Sequence, residues 1–331
     1  MSAPAVARSP VDGDCIGVSK SMCQVLDLVR RLAASEVRTV LLQGETGVGK
    51  DVVANYLHQC SPRREMRFVA LNCAAIPEAL CESELFGHER GAFTDARTAK
   101  SGLLEASDHG TLFLDEIGQI APWLQGKLLR VLEGGSFRRI GGLSDLHVDL
   151  HFIAATNLDL VAAVDRGVFR MDLFYRLNVF EISIPPLRER RADILPLAQH
   201  FIEVFNRSFK RDIQGLAKEA SAALLTHSWP GNVRQLRNAV ERAMVMEESP
   251  VIELASLPRE ISGLCQPASR DDPDEDLSLK RTELRLVLRA LEKSRGNQTL
   301  AAGLLGITRD GLRYKMRKHG MVFARTRAVR Q

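Results

Sequence analysis

Eight residues, GETGVGKD (Gly44 to Asp51), follow the apolar run TVLLQ and precede a helical pattern. A glycine loop between a strand and a helix wraps its backbone N–H groups around phosphates. Gly44, Gly47 and Gly49 permit close approach, and Lys50 offers a point charge to β/γ-phosphates. The general pattern ends in Ser or Thr, whose hydroxyl serves magnesium, and here Asp51 stands instead. A plain strand-to-helix turn fits this loop as well. A second element, TLFLDE (Thr111 to Glu116), is an apolar strand ending in two acids. Asp115 suits Mg2+, directly or through water, and Glu116 suits polarising an attacking water. Together the two elements point to hydrolysis of a nucleotide triphosphate rather than to binding alone.

Other polar residues end runs of the same kind, at the edge where open α/β sheets place ligands. Asn72 ends RFVALN and Asn157 ends VDLHFIAATN, and each equally suits a turn. In FRMDLFYRLN, Arg170 and Arg176 stand six residues apart, on a solvated face or aimed at a neighbouring subunit's γ-phosphate. GAFTDA (Gly91 to Ala96) sets Phe93 among small residues where neither helix nor strand is favoured.

The elements that must position these groups are legible as periodicity. Up to residue 185, continuous apolar runs alternate with amphipathic ones, which predicts an α/β domain with a parallel sheet covered on both faces. After Pro185 and Pro186 the period becomes helical, with helices expected at Ala192 to Arg207, Lys218 to His227 and Asn232 to Met246. SGLCQPASRDDPDED (Ser262 to Asp276) is polar and acidic and reads as a linker. Beyond it, three short helices fit Leu277 to Gly320, with Leu300, Leu304 and Leu305 on an inner face, Gly306 at the turn and Thr308 capping the last helix. The expected division is therefore a disordered lead-in 1–14, an α/β core 15–185, a helical subdomain 186–261, a linker 262–276, a helical unit 277–321 and a basic tail 322–331.

Composition narrows the class further. The 331 residues are 45% hydrophobic and 26% charged, and no run approaches the ~18 apolar residues of a membrane span. No apolar secretory core is present at the start, so a protein kept inside the cell is expected, without membrane partners. Six cysteines form no C-x-x-C pair, which reads as reduced thiols rather than a disulfide or zinc framework. The net charge of +4 is uneven: from Gly296 onward eight basic residues face one acid, leaving +7 there and −3 on the remainder. Such an end suits a polyanion, nucleic acid above all, although a basic hairpin docking on protein has the same composition.

GETGVGKD, LNCAAIPE, ESELFGHERGAFTDA, GTLFLDEI, FRMDLFYRLN, IPPLRERRADI and WPGNVRQLRN occur in one order. From about Ile16 to Met321 the chain resembles the bacterial enhancer-binding proteins, AAA+ ATPases that activate sigma-54 RNA polymerase. The resemblance implies an AAA+ P-loop parallel sheet flanked by helices, then a small helical lid and an all-α helix-turn-helix of the Fis type. It implies ATP and Mg2+ as cofactors, with Gly44, Glu45, Thr46, Gly47, Val48, Gly49, Lys50 and Asp51 around the nucleotide and Ile16 and Gly17 in the adenine pocket. In that family an acid commonly follows the loop lysine, so Asp51 is in keeping. The resemblance further implies Asp115 on Mg2+, Glu116 as water activator, Asn72 holding that glutamate, Asn157 as first sensor and Arg234 as second sensor. Arg170 and Arg176 become fingers acting on a neighbour, which requires a ring, a homo- or hetero-hexamer.

GAFTDA matches the GAFTGA signature of the loop that touches sigma-54, so Gly91, Ala92, Phe93, Thr94, Asp95 and Ala96 form the expected contact, supported by Arg130 to Gly142. Asp95 departs from the signature glycine and adds charge at the tip, where it is expected to weaken or retune the contact. The last helix is expected on an upstream site in double-stranded DNA, with Arg309, Asp310 and Arg313 near bases, Lys315, Arg317 and Lys318 near the backbone, and Tyr314 beside them. Only some fifteen residues precede the ATPase region, so control by a separate regulatory protein is expected. The other readings are a DNA-binding regulator whose AAA+ ring assembles without driving sigma-54, and a metabolite kinase, which has no use for a DNA-binding tail.

Overall fold

A computed structural model describes residues 15–35, 37–94, 96–262, 283, 286–288, 290–292, 294 and 297–318. The expected lead-in, the linker from residue 263, the basic tail and Asp95 lie outside the described residues. Two compact units divide the chain at Leu264 and Cys265.

In the first unit, five parallel strands lie in the order β2-β3-β6-β1-β7. They are β1 (Thr39–Gln43), β2 (Phe68–Asn72), β3 (Thr111–Asp115), β6 (His151–Thr156) and β7 (Glu181–Ser183), with β4 (Ser136–Phe137) and β5 (Leu146–His147) forming a separate antiparallel pair. Each of β1 and β3 buries its first four residues and β6 buries all six, as runs apolar on both faces require. Val40, Leu42, Ile153 and Ala155 face α1 (Lys20–Ala33) and α2 (Lys50–Cys60). Leu41, Leu112, Leu114 and Ala154 face the opposite layer, where α3 (Glu78–Phe86), α4 (Leu103–Ala106), α5 (Pro122–Gly134), α6 (Leu160–Asp165) and α7 (Met171–Leu177) gather. The parallel register aligns Asn72 with Asp115 and Gln43 with Thr156, so the polar strand ends meet at one edge.

The helical part follows two 3-10 turns, Leu187–Glu189 and Arg191–Asp193. It comprises α8 (Ile194–Phe209), α9 (Lys218–Thr226), α10 (Asn232–Met246) and the short α11 (Arg259–Ser262). Trp229 is wholly buried at its centre and its indole N–H donates to the Leu224 carbonyl at 2.9 Å. Among the described residues no helix is long and apolar enough to cross a membrane.

In the second unit the helices Gln298–Leu304 and Arg309–Lys318 flank a turn at Gly306, whose φ of +65° is the left-handed region. Thr308 Oγ1 accepts from Gly311 N at 3.1 Å and caps the second helix as expected. The inner face is a correction to the sequence reading. Leu300 and Leu304 are 61% and 62% exposed, while Ala301 and Ala302 pack with Val287, Leu291, Leu312 and Met316, and Leu305 is partly buried. Residues four apart share a face, and periodicity alone does not say which of two faces is covered.

Candidate functional site

The phosphate loop is built by backbone conformation. Gly47 and Gly49 have φ of +80° and +97°, a region costly for other residues. Gly49 starts α2 with no side-chain cap, so the first N–H groups of the helix face the loop. Lys50 is buried beneath it, donating to the carbonyls of Gly44 (3.0 Å) and Glu45 (3.3 Å), and its Nζ stands 3.8 Å from Glu116 Oε1. Glu116 has a φ of +53°, which turns it out of the line of β3. Its Oε2 accepts from Asn157 N at 3.4 Å, and Asn157 Nδ2 donates to Thr46 Oγ1 at 2.8 Å. Lys50, Glu116, Asn157 and the loop therefore converge at one edge of the sheet.

Asn72 sits elsewhere than the resemblance implies. Its Nδ2 donates to Asp115 Oδ2 at 3.1 Å, not to Glu116. The reason is register: Asn72 pairs with Asp115 across the sheet, and Glu116 lies one residue beyond, turned toward the loop. The other Asp115 oxygen accepts from Glu116 N at 3.0 Å.

A cavity of about 360 Å3 lies between loop and lid, walled by Ile16, Gly47, Val48, Asp51, Phe201 and Arg234 among others. Gly17 is outside that wall, but a Cβ there would stand 2.2 Å from Met22 Cγ, so the glycine lets the segment pass close to α1. Val18 N and Ser19 N donate to Asp193 Oδ1 at 2.6 and 2.7 Å, which ties this segment to the lid.

Glu45 does something that spacing did not reveal. Its carboxylate forks onto Arg188 (2.6 and 2.8 Å) and accepts from Asn232 Nδ2 at 3.1 Å. Those donors hold its pKa down to about 2. Asn232 is fully buried, adopts a φ of +51°, accepts from Leu187 N at 2.8 Å and donates also to the Thr46 carbonyl at 3.1 Å. Arg234 N donates to the Gly47 carbonyl and the buried Arg190 to the Val48 carbonyl, at 3.2 and 2.7 Å. Asn232, Arg188 and Arg190 were not singled out by the sequence reading. The available signal was the asparagine after Pro-Gly in WPGNV, a residue type that tolerates positive φ.

Arg170 and Arg176 make their contacts away from this edge. Arg170 forks onto Asp172 at 3.0 and 2.7 Å, and Arg176 donates twice to the Leu132 carbonyl. Met171 and Tyr175 are exposed beside them. Phe93, 43% exposed, lays its ring edge-on against His88, with centroids 4.9 Å apart. Gly91 N donates to the Ala96 carbonyl and Ala96 N to that of Phe93, closing a tight turn with Ala92 and Thr94 inside it. Below the turn, Arg139 bonds Glu105 (2.6 and 2.8 Å) and Glu89 (3.1 Å), and Gly141 passes so close to Ala92 that a Cβ would meet the alanine's own at 2.9 Å. In the second unit, Arg309, Asp310, Arg313, Tyr314, Arg317 and Lys318 are outward on their helix, while Lys315 is half-buried. Lys315 and Lys318 pair with Glu283, and Arg313 bonds Gln298 at 3.2 Å.

A parallel sheet with a lysine-bearing phosphate loop and a helical lid over its edge is the AAA+ arrangement. Comparison with known proteins agrees with it. Residues 15–183 match the family described as the Sigma-54 interaction domain, 188–273 the AAA+ ATPase lid domain, and 278–319 the Bacterial regulatory protein, Fis family. The chain belongs to the sigma-54 interaction domain family. It is 44% identical to the regulatory protein AtoC of Escherichia coli strain K12 over 93% of this chain and 68% of that protein. It is 42% identical to the nitrogen fixation protein AnfA of Azotobacter vinelandii over 93% of this chain but only 58% of that protein. Crystal structures of NtrX from Brucella abortus in complex with ADP and with ATP each superpose with a TM-score of 0.73 at 33% identity, over 93% of this chain and 69% of theirs.

Proposed function

We propose that the chain is an ATP-hydrolysing activator that binds double-stranded DNA upstream of a promoter and remodels the sigma-54 RNA polymerase holoenzyme. The observation that carries this reading is the convergence of Lys50, Glu116, Asn157 and the glycine loop beneath a cavity closed by the lid. In this reading Lys50 and the N–H groups of the loop hold the β- and γ-phosphates. Glu116, 3.8 Å from the Lys50 ammonium, orients and takes a proton from the attacking water. Asn157 bridges that acid and Thr46, and so registers whether a γ-phosphate is present. Asp115 offers a hard oxygen at the strand end and fits Mg2+ held mainly by phosphate oxygens and water. Bound there, the metal would neutralise charge on the phosphates.

Arg170 and Arg176 are the charges for a neighbour's γ-phosphate in a homo- or hetero-hexamer, and each must first leave the partner it has within its own chain. Phe93 and Thr94 are the sigma-54 contact, an exposed aromatic in a glycine turn that gains contact area once a partner covers it. Arg309, Asp310, Arg313 and Arg317 meet the duplex.

Transcription in vitro with sigma-54 polymerase, ATP and a template carrying the upstream site tests the reading. The wild-type chain gives open complexes, and Glu116→Gln keeps nucleotide binding but loses turnover and transcript together. Transcript from Glu116→Gln at the wild-type level refutes it. The sequence also favours a second reading, in which Asp95 leaves an assembling ring that regulates DNA without driving sigma-54. There, wild-type protein hydrolyses ATP without transcript and Asp95→Gly restores output. If Asp95 only retunes the contact, output holds or rises in Asp95→Gly, and a clear fall sinks both accounts of that residue.

A further inference from the structure

The cavity beneath the lid has two chemically different parts. Ile16, Leu197, Phe201 and Val204 give it apolar walls, while Gly47 to Gly49 and Asp51 belong to the phosphate loop. A nucleotide has the same division, a flat base at one end and a polyanion at the other. Two buried side chains from one tight turn serve these two parts separately. The turn is Arg191–Asp193, closed by Asp193 N donating to the Arg190 carbonyl at 2.9 Å, and α8 begins at the next residue.

Asp193 is fully buried and holds the segment that carries Ile16. Its Oδ1 accepts from Val18 N (2.6 Å) and Ser19 N (2.7 Å), and its Oδ2 accepts from Ser19 Oγ at 2.7 Å. These bonds set where the chain passes from the cavity wall into α1. Arg190, 3% exposed, holds the loop: one terminal nitrogen donates to the Val48 carbonyl at 2.7 Å and the other to Met22 Sδ at 3.3 Å. Its Nε is buried without a partner. A guanidinium in the interior with one N–H unpaired and another on sulfur is a poor source of stability, and an apolar side chain of similar length would be buried at less cost. What such a chain lacks is the bond to the loop. Burial works against the Arg190 charge and the Asp193 carboxylate works for it, so each arm depends on the other.

We propose that Arg190 and Asp193 are positioning residues through which the two ends of one nucleotide bind cooperatively. A base packed against Ile16 settles the segment that Asp193 holds. The turn carries that placement to Arg190, and through the Val48 carbonyl to the loop that meets the phosphates. A turn ordered by one end of the ligand is already ordered for the other, so the second end binds without that cost. The inference rests on the reading of this cavity as an ATP site and adds the means by which its two parts act together.

Calorimetry on the full chain tests this with the ligand's two halves left unlinked, pyrophosphate being titrated with and without saturating adenosine. In wild type, adenosine is expected to tighten pyrophosphate binding about tenfold, and pyrophosphate to tighten adenosine by the same factor. In Arg190→Met that factor falls to about one while both ligands still bind. Asp193→Asn, whose amide keeps an acceptor for the two N–H groups and a donor for Ser19 Oγ, retains the factor, and Asp193→Ala loses it. Ser19→Ala removes one bond of the same arm, covers the case in which Asp193→Ala does not fold, and lowers the factor. A factor that Arg190→Met and Ser19→Ala both leave unchanged overturns the inference. Wild-type chain that binds neither ligand sinks the ATP reading and this inference with it, whereas binding of both without coupling sinks this inference alone.

Discussion

Asn232→Ala is the sharpest probe of how the phosphate loop is coupled to the lid. The wild-type amide makes three bonds from a fully buried position: Leu187 N to Oδ1, and Nδ2 to Glu45 Oε2 and to the Thr46 carbonyl. Alanine leaves the Leu187 N–H unpaired in the interior, a loss of about 1–3 kcal/mol, and removes two bonds of about 1 kcal/mol each. The φ of +51° adds about 1–2 kcal/mol for a side chain with no local polar compensation. The expected total is about 4–7 kcal/mol, large against ordinary domain stability. Asn232→Gly removes the backbone strain but not the lost bonds, and should recover about 1 kcal/mol of it. Urea unfolding of the full chain, followed by fluorescence of the wholly buried Trp229 three residues upstream, reads the stability. A fluorescent nucleotide reads the loop, and its affinity should fall at least tenfold. Stability within about 1 kcal/mol of wild type would refute the ledger. A loss of the expected size with unchanged nucleotide affinity would make the contact purely structural and refute the coupling.

Three further outcomes are expected. Gly47→Ala places a Cβ 2.5 Å from the Gly231 carbonyl oxygen, at a φ of +80°, and should displace the lid and lower nucleotide affinity at least as far as Asn232→Ala, measured with the same fluorescent nucleotide. Glu45 is depressed from 4.5 to about 2, by Arg188 first and Asn232 second, so its stabilisation is present above the unfolded value and is lost as pH falls through the folded one. The stability difference between wild type and Glu45→Gln should therefore be flat around neutrality and shrink only from about pH 4.5 toward 2, and a difference that drifts near pH 7 contradicts the assignment. Against a DNA duplex, Arg317→Ala should reduce the slope of log K on log salt by about 0.9, and Lys315→Ala by less, because Lys315 already faces Glu283; equal losses would place both on phosphates.

The sheet was readable because each strand carries its own evidence. TVLLQ, TLFLD and HFIAAT are apolar on both faces, a pattern that suits a covered parallel strand, and all three fold as strands. Asn232 to Met246 likewise has the period of the helix it forms. Asn232 itself escaped notice because its partners, Glu45 and Thr46, lie nearly two hundred positions away, and no local pattern encodes such a meeting. That Asn72 bonds Asp115 here was illegible for a related reason: strand register, which pairs the two, is a property of two segments and not of either motif. The exposed Leu300 and Leu304 show the limit of periodicity from the other side. The period was right, and the identity of the covered face depended on neighbours.

The same edge reaches outward in two directions from the candidate phosphate site. Toward the lid, four successive loop residues are tied down: Glu45 by Arg188, the Thr46 carbonyl by Asn232, the Gly47 carbonyl by Arg234 N and the Val48 carbonyl by Arg190. A lid shift that preserves these bonds must carry the loop with it. Toward the Phe93 turn one path runs through the Asn72 side chain. Asn72 Nδ2 donates to Asp115, while its Oδ1 accepts from Ala74 N and Ala75 N at 2.9 and 3.2 Å, holding the turn that leads into α3. That helix ends at Gly87, whose φ of +72° starts the segment carrying His88 and Phe93. Rotating the Asn72 amide to reach Glu116 breaks both sets of bonds at once. A change at the carboxylates that drew Asn72 away would therefore loosen the base of α3 in the same movement, at the head of the segment that leads to the exposed Phe93.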